Sequence, residues 1–201
     1  MPLDLHGAGS VGCYDPWRHH FAVACAAATV LLLLAGGLVT STGSGLAVPD
    51  WPLSFGQLFP PMIGGVLYEH GHRLIAASVG LMTAVLAIWS ALREPRRWVR
   101  RLVAVALGAV VAQGLLGGLT VILKLPPAVS VAHACLAQTF FCLMVFLSLV
   151  TSRGFLESAP RPPQGGGAFS LWTLGAASIV LLSGQLILGA VMRHTGAGLA
   201  I

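Results

Sequence analysis

The chain has 201 residues, of which 56% are hydrophobic and only 8% are charged, and its formal net charge is +5. Because roughly 25% of the residues in an ordinary soluble domain are charged, this composition excludes a soluble fold and indicates a membrane protein. The positive charge does not indicate a nucleic-acid partner, since the sequence shows no folded basic face.

Five apolar stretches are long enough to cross a bilayer, which takes roughly 20 residues. The predicted helices cover residues 21 to 40, 72 to 92, 101 to 123, 131 to 151 and 170 to 192. The first stretch is too long for a signal peptide and lacks a convincing cleavage site, so we interpret it as a retained helix. The predicted fold class is therefore all-α, a polytopic transmembrane helical bundle.

The link between the second and third predicted helices indicates the orientation of the chain. Five arginines and one acid occupy it: Arg93, Arg96, Arg97, Arg100 and Arg101, with Glu94. By the positive-inside rule this link is cytoplasmic. Residues 1 to 20 are then also cytoplasmic, residues 41 to 71 lie on the outer side, and the C-terminus is outside.

Glycines, prolines and a tryptophan fill the predicted outer loop, from Thr42 to Gln57 and on to Pro60-Pro61. Its Gly43-Ser44-Gly45 does not indicate a phosphate-binding loop, because no strand precedes it and no Lys or helix follows it in the required pattern. A turn-rich apolar loop at the outer face predicts a lid at the membrane interface, with Trp51 in the headgroup region.

His72 and His133 each open a predicted helix that runs inward from the outer face. Both lie about one turn into their helices and therefore at matching depth. A histidine in a membrane helix either forms an interhelical hydrogen bond or has a functional partner. The matched depth favours two axial ligands of one haem iron. His70 points to another face of its helix, and we interpret it as a loop residue or as a group that supports a ligand.

The third and fifth predicted helices carry further patterns. Gly114 and Gly118 form a GxxxG motif, which predicts close approach of a neighbouring helix. After a proline-rich and glycine-rich linker, Thr195 to Ile201 repeat the pattern of Thr42 to Val48, which indicates an internal repeat. His194 aligns with Ser41 in this repeat, so we expect it to face a loop.

The repeat divides the chain into four predicted parts. They are a cytoplasmic segment at 1 to 20, a four-helix half at 21 to 151, a cytoplasmic linker at 152 to 169 and the start of a second half at 170 to 201. The second half stops where Pro49 would be repeated, so we expect a truncated chain, and the family resemblance described next implies that the whole protein has eight helices in two repeats. A genuine five-helix protein is the alternative.

Taken together, several of these segments resemble the haem A synthase family. They are Thr42 to Gln57, Glu69-x-x-His72-Arg73, Gln113 to Gly118, and His133. The resemblance implies two similar four-helix halves, each with a pair of outer-side histidines. One half would hold the substrate haem O and the other a resident haem b. Some family members have a cysteine pair in the outer loop, and residues 41 to 71 contain no cysteine here.

The resemblance also implies an activity and a set of site residues. The family oxidises a ring methyl of haem O to the formyl group of haem A. His72 and His133 would be the axial ligands of the substrate haem and Glu69 the catalytic carboxylate beside the reacting methyl. Arg73 would pair with Glu69 or with a haem propionate, and the sequence does not choose between them.

The implied location is the inner membrane of a bacterium, with the N-terminus in the cytoplasm. The implied partners are haem O, the lipid bilayer, haem O synthase, terminal oxidase assembly factors and an electron acceptor that the sequence does not name. A homo-oligomer is an open alternative.

Two other functions stay open at this point. One is a bis-histidine membrane cytochrome b that carries electrons to or from quinone, and the other is a haem-free transporter fragment. The enzyme alone accounts for Glu69 together with the glycine-rich and proline-rich loop.

Overall fold

The computed structural model describes residues 14–158 and 171–195, which form five long helices and one short one. The helices are α1 Pro16–Ser41, α2 Gly65–Arg93, α3 Arg97–Ile122, α4 Pro127–Val150, the short α5 Arg153–Glu157, and α6 Leu171–Thr195. All five long helices are long and apolar enough to span a membrane. The predicted all-α bundle with five spans is confirmed.

The four helices of the bundle begin earlier than the hydropathy predicts, and the difference is largest in α2, which starts at Gly65 instead of residue 72. Its first turns contain polar residues such as Glu69 and His70, which a hydropathy pattern leaves out although they adopt helical backbone readily. His72 and His133 consequently lie seven and six residues after the starts of α2 and α4. They are about two turns into their helices, not one, and still at similar depth.

Helices α1 to α4 form a ring in which each helix packs against two others. Helices α1 and α3 each contact both α2 and α4. Helices α2 and α4 are therefore diagonally opposed, and they run in the same direction because the connections alternate. Among the described elements, α6 packs against α4 only, outside the ring.

The buried apolar core lies in the half of the ring away from residues 42–64, which we call the core end. It is built from the beginnings of α1 and α3 and the later parts of α2 and α4. Its members are Ala22, Cys25, Ala26, Val79, Leu86, Val99, Val103, Ala106, Phe140, Met144, Leu147 and Val150. The opposite half, the loop end, holds both His72 and His133.

A buried ionic network joins all four helices of the ring at the core end. Glu94, which is 2% exposed, forms a salt bridge with Arg18 at 3.0 Å and accepts hydrogen bonds from Arg96 at 2.8 and 2.9 Å. Arg96 also donates to the carbonyl of Val150 at 3.0 Å. Burial alone would raise the pKa of Glu94, but the hydrogen bonds from Arg96 and the charge of Arg18 outweigh it and hold that pKa below its ordinary value.

Candidate functional site

A pair of charged side chains, Glu69 and Arg73, fastens the loop of residues 42–64 to α2. Arg73 donates to the carbonyls of Asp50 at 2.7 Å, Leu53 at 3.0 Å and Val48 at 3.4 Å. Glu69 accepts from Arg73 at 2.6 Å and, through its other oxygen, from the backbone N–H of Val48 at 2.8 Å. The Arg73–Glu69 pair, one of the two alternatives that the sequence left open, is therefore formed in this structure.

His70 belongs to α2 and not to the loop. Its imidazole is 5% exposed, and its Nδ1 lies 2.7 Å from the hydroxyl oxygen of Ser54, which is fully buried. The interpretation of His70 as a loop residue is wrong, because α2 begins five residues before it. His70 instead helps to hold the loop against α2.

The turn at the tip of this loop has its own support. Asp50 accepts hydrogen bonds from the backbone N–H groups of Phe55 at 2.7 Å and Gly56 at 2.8 Å, and these bonds hold the pKa of its carboxyl below the usual value. Both donors have positive φ, at 54° and 70°, which Gly56 adopts without strain. The side chain of Asp50 thus stabilises the turn that carries Ser54 towards His70.

Trp51 carries the loop across to the other side of the ring. A Cβ on Gly118 of α3 would lie 2.6 Å from two atoms of the Trp51 indole, so only glycine leaves room for the ring. The GxxxG motif was predicted to admit a helix, whereas Gly118 admits this tryptophan and Gly114 has no described atom within 4 Å of a Cβ. The motif indicates a face of small residues but not what packs on it. The loop therefore contacts both α2 and α3.

His72 and His133 occupy equivalent environments on the diagonal helices α2 and α4. A Cβ on Gly36 of α1 would lie 3.1 Å from Cε1 of His72, and a Cβ on Gly117 of α3 would lie 3.2 Å from Cε1 of His133. Both imidazoles are half-buried, and they lie at similar depth in their helices. The helices thus bring together the two histidines that the sequence singled out.

Buried polar atoms without hydrogen-bond partners concentrate at the loop end. Among the described residues seven such side-chain atoms occur, and five of them belong to this end. They are Nε2 of His70, Nδ1 of His72, Oε1 of Gln113, Oγ of Ser130 and Nδ1 of His133. Because native proteins pair nearly all of their buried polar groups, such a cluster is typical of a site that receives a ligand.

Two polar residues of this group lie close to His133. Gln113 contacts it directly, and Ser130 lies beside it on α4. The amide nitrogen of Gln113 donates to the carbonyl of His133 at 2.9 Å and lies 3.5 Å from its Nε2. Ser130 precedes His133 by three residues and so lies on the same side of α4. Sequence reasoning cited Gln113 only within the family resemblance and did not find Ser130. A polar residue within an apolar span was the available signal for Gln113.

These residues fit a haem better than a ligand bound from one side. Two imidazoles on diagonally opposed helices can approach an iron from opposite faces, as axial histidines do. The buried apolar core lies towards the other end of the ring and does not include residues at the level of these histidines. The side chain of His194, the remaining histidine discussed above, lies outside the described residues.

Comparison with known proteins finds one matching family model and several similar sequences that are named heme A synthase. The model of the COX15-CtaA family, described as cytochrome oxidase assembly protein, matches residues 65–201. The heme A synthase of Alkalihalophilus pseudofirmus is 29% identical over 188 residues, covering 90% of this chain and 61% of the relative. The heme A synthase of Shouchella clausii is 33% identical over 178 residues, covering 85% and 57%. The chain thus spans about three fifths of the length of these relatives, and no solved structure matches it.

Proposed function

Because this chain belongs to the COX15-CtaA family of cytochrome oxidase assembly proteins, we propose that it acts as a haem A synthase, an oxidoreductase that converts haem O to haem A. The observation that supports the proposal is the pair of half-buried imidazoles, His72 and His133, at similar depth on diagonally opposed helices, at the end of the ring where most of the unpartnered buried polar atoms lie. The names of the relatives support the same activity. A cytochrome b would use the histidine pair but not the carboxylate beside it.

We propose that His72 and His133 hold the iron of haem O and thereby fix the plane of the macrocycle. The conversion oxidises a ring methyl to a formyl group by way of an alcohol and a gem-diol that loses water. Water would supply the oxygen atom, and each of the two oxidation steps would release two electrons and two protons, so the conversion requires an electron acceptor, which neither the chain nor its relatives identify. The macrocycle supplies the electronic chemistry, and the protein supplies position and surroundings.

Glu69 is proposed as the carboxylate beside the reacting methyl. It lies three residues before His72 on the same helix, and so about one turn nearer the loop. Its position is well defined, because Arg73 and the N–H of Val48 each bind one of its oxygens. A carboxylate held in this way can stabilise positive charge that develops at the methyl carbon or can accept a proton.

The loop above Glu69 is proposed to control access to this site, including access of the water that the reaction consumes. Arg73 binds three carbonyls of the loop, and Trp51 rests on Gly118, so the loop covers the end of the ring between α2 and α3. We keep a haem propionate as a second partner for Arg73 when substrate is bound. Both roles would place the guanidinium at the edge of the site.

The remaining parts of the proposal concern the setting of the protein. We propose that it lies in the inner membrane of a bacterium with its N-terminus in the cytoplasm. Haem O synthase and terminal oxidase assembly factors are its proposed partners. A haem b is the proposed resident cofactor, bound by a second pair of histidines such as the resemblance implies.

The proposal can be tested by analysing the haem that the protein retains. The chain would be produced in a bacterium that makes haem O but lacks its own synthase, purified in detergent, and its haem extracted and separated by chromatography. Haem O or haem A in the extract would support the proposal. Haem b alone would favour the cytochrome, and an extract without haem would contradict both. The double variant His72→Ala with His133→Ala provides the control for non-specific haem.

A further inference from the structure

We propose that Gly36 and Gly117 are positioning residues that seat the imidazoles of His72 and His133 for ligation of one iron. The proposal rests on the haem-binding role given to these histidines above. It adds a second requirement to the presence of the two histidines. The helix opposite each histidine must have a glycine at the position that the imidazole contacts, Gly36 in α1 and Gly117 in α3.

The contacts of the two glycines are nearly identical. From the Cβ position of Gly36, the three nearest atoms are Cε1, Nδ1 and Nε2 of His72, at 3.1, 3.6 and 3.7 Å. From that of Gly117, they are Cε1, Nδ1 and Nε2 of His133, at 3.2, 3.8 and 3.9 Å. In both cases the edge of the imidazole between its two nitrogens faces the glycine. The free space beside each glycine is thus occupied by an imidazole.

The two glycines also hold equivalent places in the fold. Gly36 lies five residues before the end of α1, and Gly117 lies five residues before the end of α3. Each begins the same tripeptide, Gly36-Gly37-Leu38 in α1 and Gly117-Gly118-Leu119 in α3. The hairpin of α1 with α2 and the hairpin of α3 with α4 therefore use one device twice, although their connecting loops differ in length.

A methyl group at either position would displace the ligand. Contact between a Cβ and an imidazole carbon at 3.1 or 3.2 Å is too close, so the ring would have to move by a few tenths of an ångström. A functional site holds its groups within about 0.5 Å of the productive geometry, so a shift of a few tenths of an ångström uses up most of that margin. Because both imidazoles must reach the same iron, neither can move without lengthening or tilting its bond.

The test uses the purified full 201-residue chain in detergent, titrated with ferric haem b as the probe. Wild-type protein should give the low-spin spectrum of bis-imidazole ligation. In Gly36→Ala and Gly117→Ala we expect part of the iron to become high-spin, and the dissociation constant of the probe to rise roughly tenfold, the lower end of what loss of a supporting group costs a metal site. Added imidazole should restore the low-spin spectrum of both variants, since it supplies the displaced ligand.

The chain offers matched controls for both glycines. Gly37→Ala in α1 and Gly114→Ala in α3 place the same methyl group where no described atom lies within 4 Å, so their spectra and affinities should equal those of the wild type. Unchanged spectra and affinity in Gly36→Ala and Gly117→Ala would overturn the positioning role. So would loss of helical folding in both variants before haem is added, because that would make the glycines packing residues. A wild-type protein without low-spin haem would instead refute the ligation itself.

Discussion

A buried nitrogen that lacks a hydrogen-bond partner destabilises a folded protein by about 1 to 3 kcal/mol. His72 and His133 each contain such an atom, the Nδ1 nitrogen. A ligand that binds these imidazoles would offset this cost. An iron that both reach is consistent with their common depth and their contacts with equivalent glycines.

The first prediction concerns the choice among three neighbouring histidines. His72→Ala or His133→Ala should abolish the low-spin spectrum of bound haem, because each removes an axial ligand. His70→Ala should leave that spectrum largely intact, since the imidazole of His70 is bonded to Ser54 in the loop. Optical and electron paramagnetic resonance spectra of the purified variants provide the measurement. An unchanged spectrum in His133→Ala would eliminate the assignment.

The second prediction separates binding from reaction at Glu69. Glu69→Gln should retain haem, because no iron ligand is lost, but should stall oxidation at haem O or the alcohol, since the charge near the methyl is gone. The measurement is chromatography of the haem formed by a protein that makes haem A. A variant that alters only the loop, such as Ser54→Ala, serves as the control. Normal haem A formation by Glu69→Gln would leave Glu69 with a structural role beside Arg73.

The sequence predicted the histidines because ionisable residues stand out in apolar spans. It could not predict Gly36 or Ser54, because their importance depends on which helix or loop lies opposite. The same limit applies to Gly118. Its GxxxG motif predicts a helix surface of small residues but does not predict that Trp51 packs on it. The role of such a residue depends on a contact with a segment that is distant in sequence, and the local composition does not reveal that contact.

At the scale of elements, α2 organises the site, because one stretch of it holds the loop as well as a proposed ligand. Residues 69 to 73 contain Glu69 and Arg73, which bind the loop, and His72, which faces Gly36. Hydropathy placed the start of this helix at residue 72, after Glu69 and His70, because these two residues are polar. Their helical conformation is stabilised by contacts with the folded loop, which a span prediction does not consider.

The third prediction concerns the attachment of the loop. Arg73→Lys keeps the charge but replaces a planar group with several donors by one compact ammonium, which cannot bind three carbonyls and Glu69 together. Amide hydrogen exchange over residues 48 to 57 should then be at least roughly tenfold faster, corresponding to about 1.4 kcal/mol. Arg100→Lys, at the far end of the ring, should leave exchange in this loop unchanged. Equal exchange in both variants would show that Arg73 does not fasten the loop.

The fourth prediction concerns the core end, where four helices meet at Glu94. Glu94→Gln leaves Arg18 and Arg96 buried beside a neutral group, and loss of one partner from a buried ion pair costs about 3 to 5 kcal/mol. Thermal unfolding in detergent should report this loss. Glu157→Gln, which disrupts an exposed pair with Arg153, should change stability very little.

The same carboxyl should make stability depend on pH with a defined sign. Because the folded state lowers the pKa of Glu94 from 4.5, its contribution is complete above that value and is lost as the pH falls through the lower folded pKa. The difference in unfolding temperature between wild type and Glu94→Gln should therefore be largest near neutral pH and shrink in acid below about 4.5. A difference that grows in acid would contradict this role.

The sequence presented Glu94 only as one acid among arginines, since the approach of Arg18 comes from another helix.

At the scale of the whole molecule, the bundle divides into a packed half and a binding half. The core end contains the buried apolar cluster and the ionic network, whereas the loop end contains His72, His133 and five of the seven unpaired buried polar atoms found among the described residues. This division is consistent with the general need for a rigid support beneath a functional site. It is also consistent with a direction across the membrane, because most of the described arginines, though not Arg73, lie at the core end.

The last prediction is that the core end faces the cytoplasm and the loop end faces outward. Positive charge near the ends of membrane helices is retained on the cytoplasmic side, and the α2–α3 link at the core end is rich in arginine.

Single cysteines can report the two sides in a protein whose native cysteines have been replaced by serine. Phe59→Cys lies in the outer loop at a side chain that is 78% exposed, and Pro95→Cys lies in the exposed link without removing any arginine. In intact spheroplasts a membrane-impermeant maleimide should label the cysteine at position 59, whereas the cysteine at 95 should react only after the membrane is permeabilised. The reverse pattern would show that the molecule has the opposite orientation in the membrane, with the proposed haem site on the cytoplasmic side.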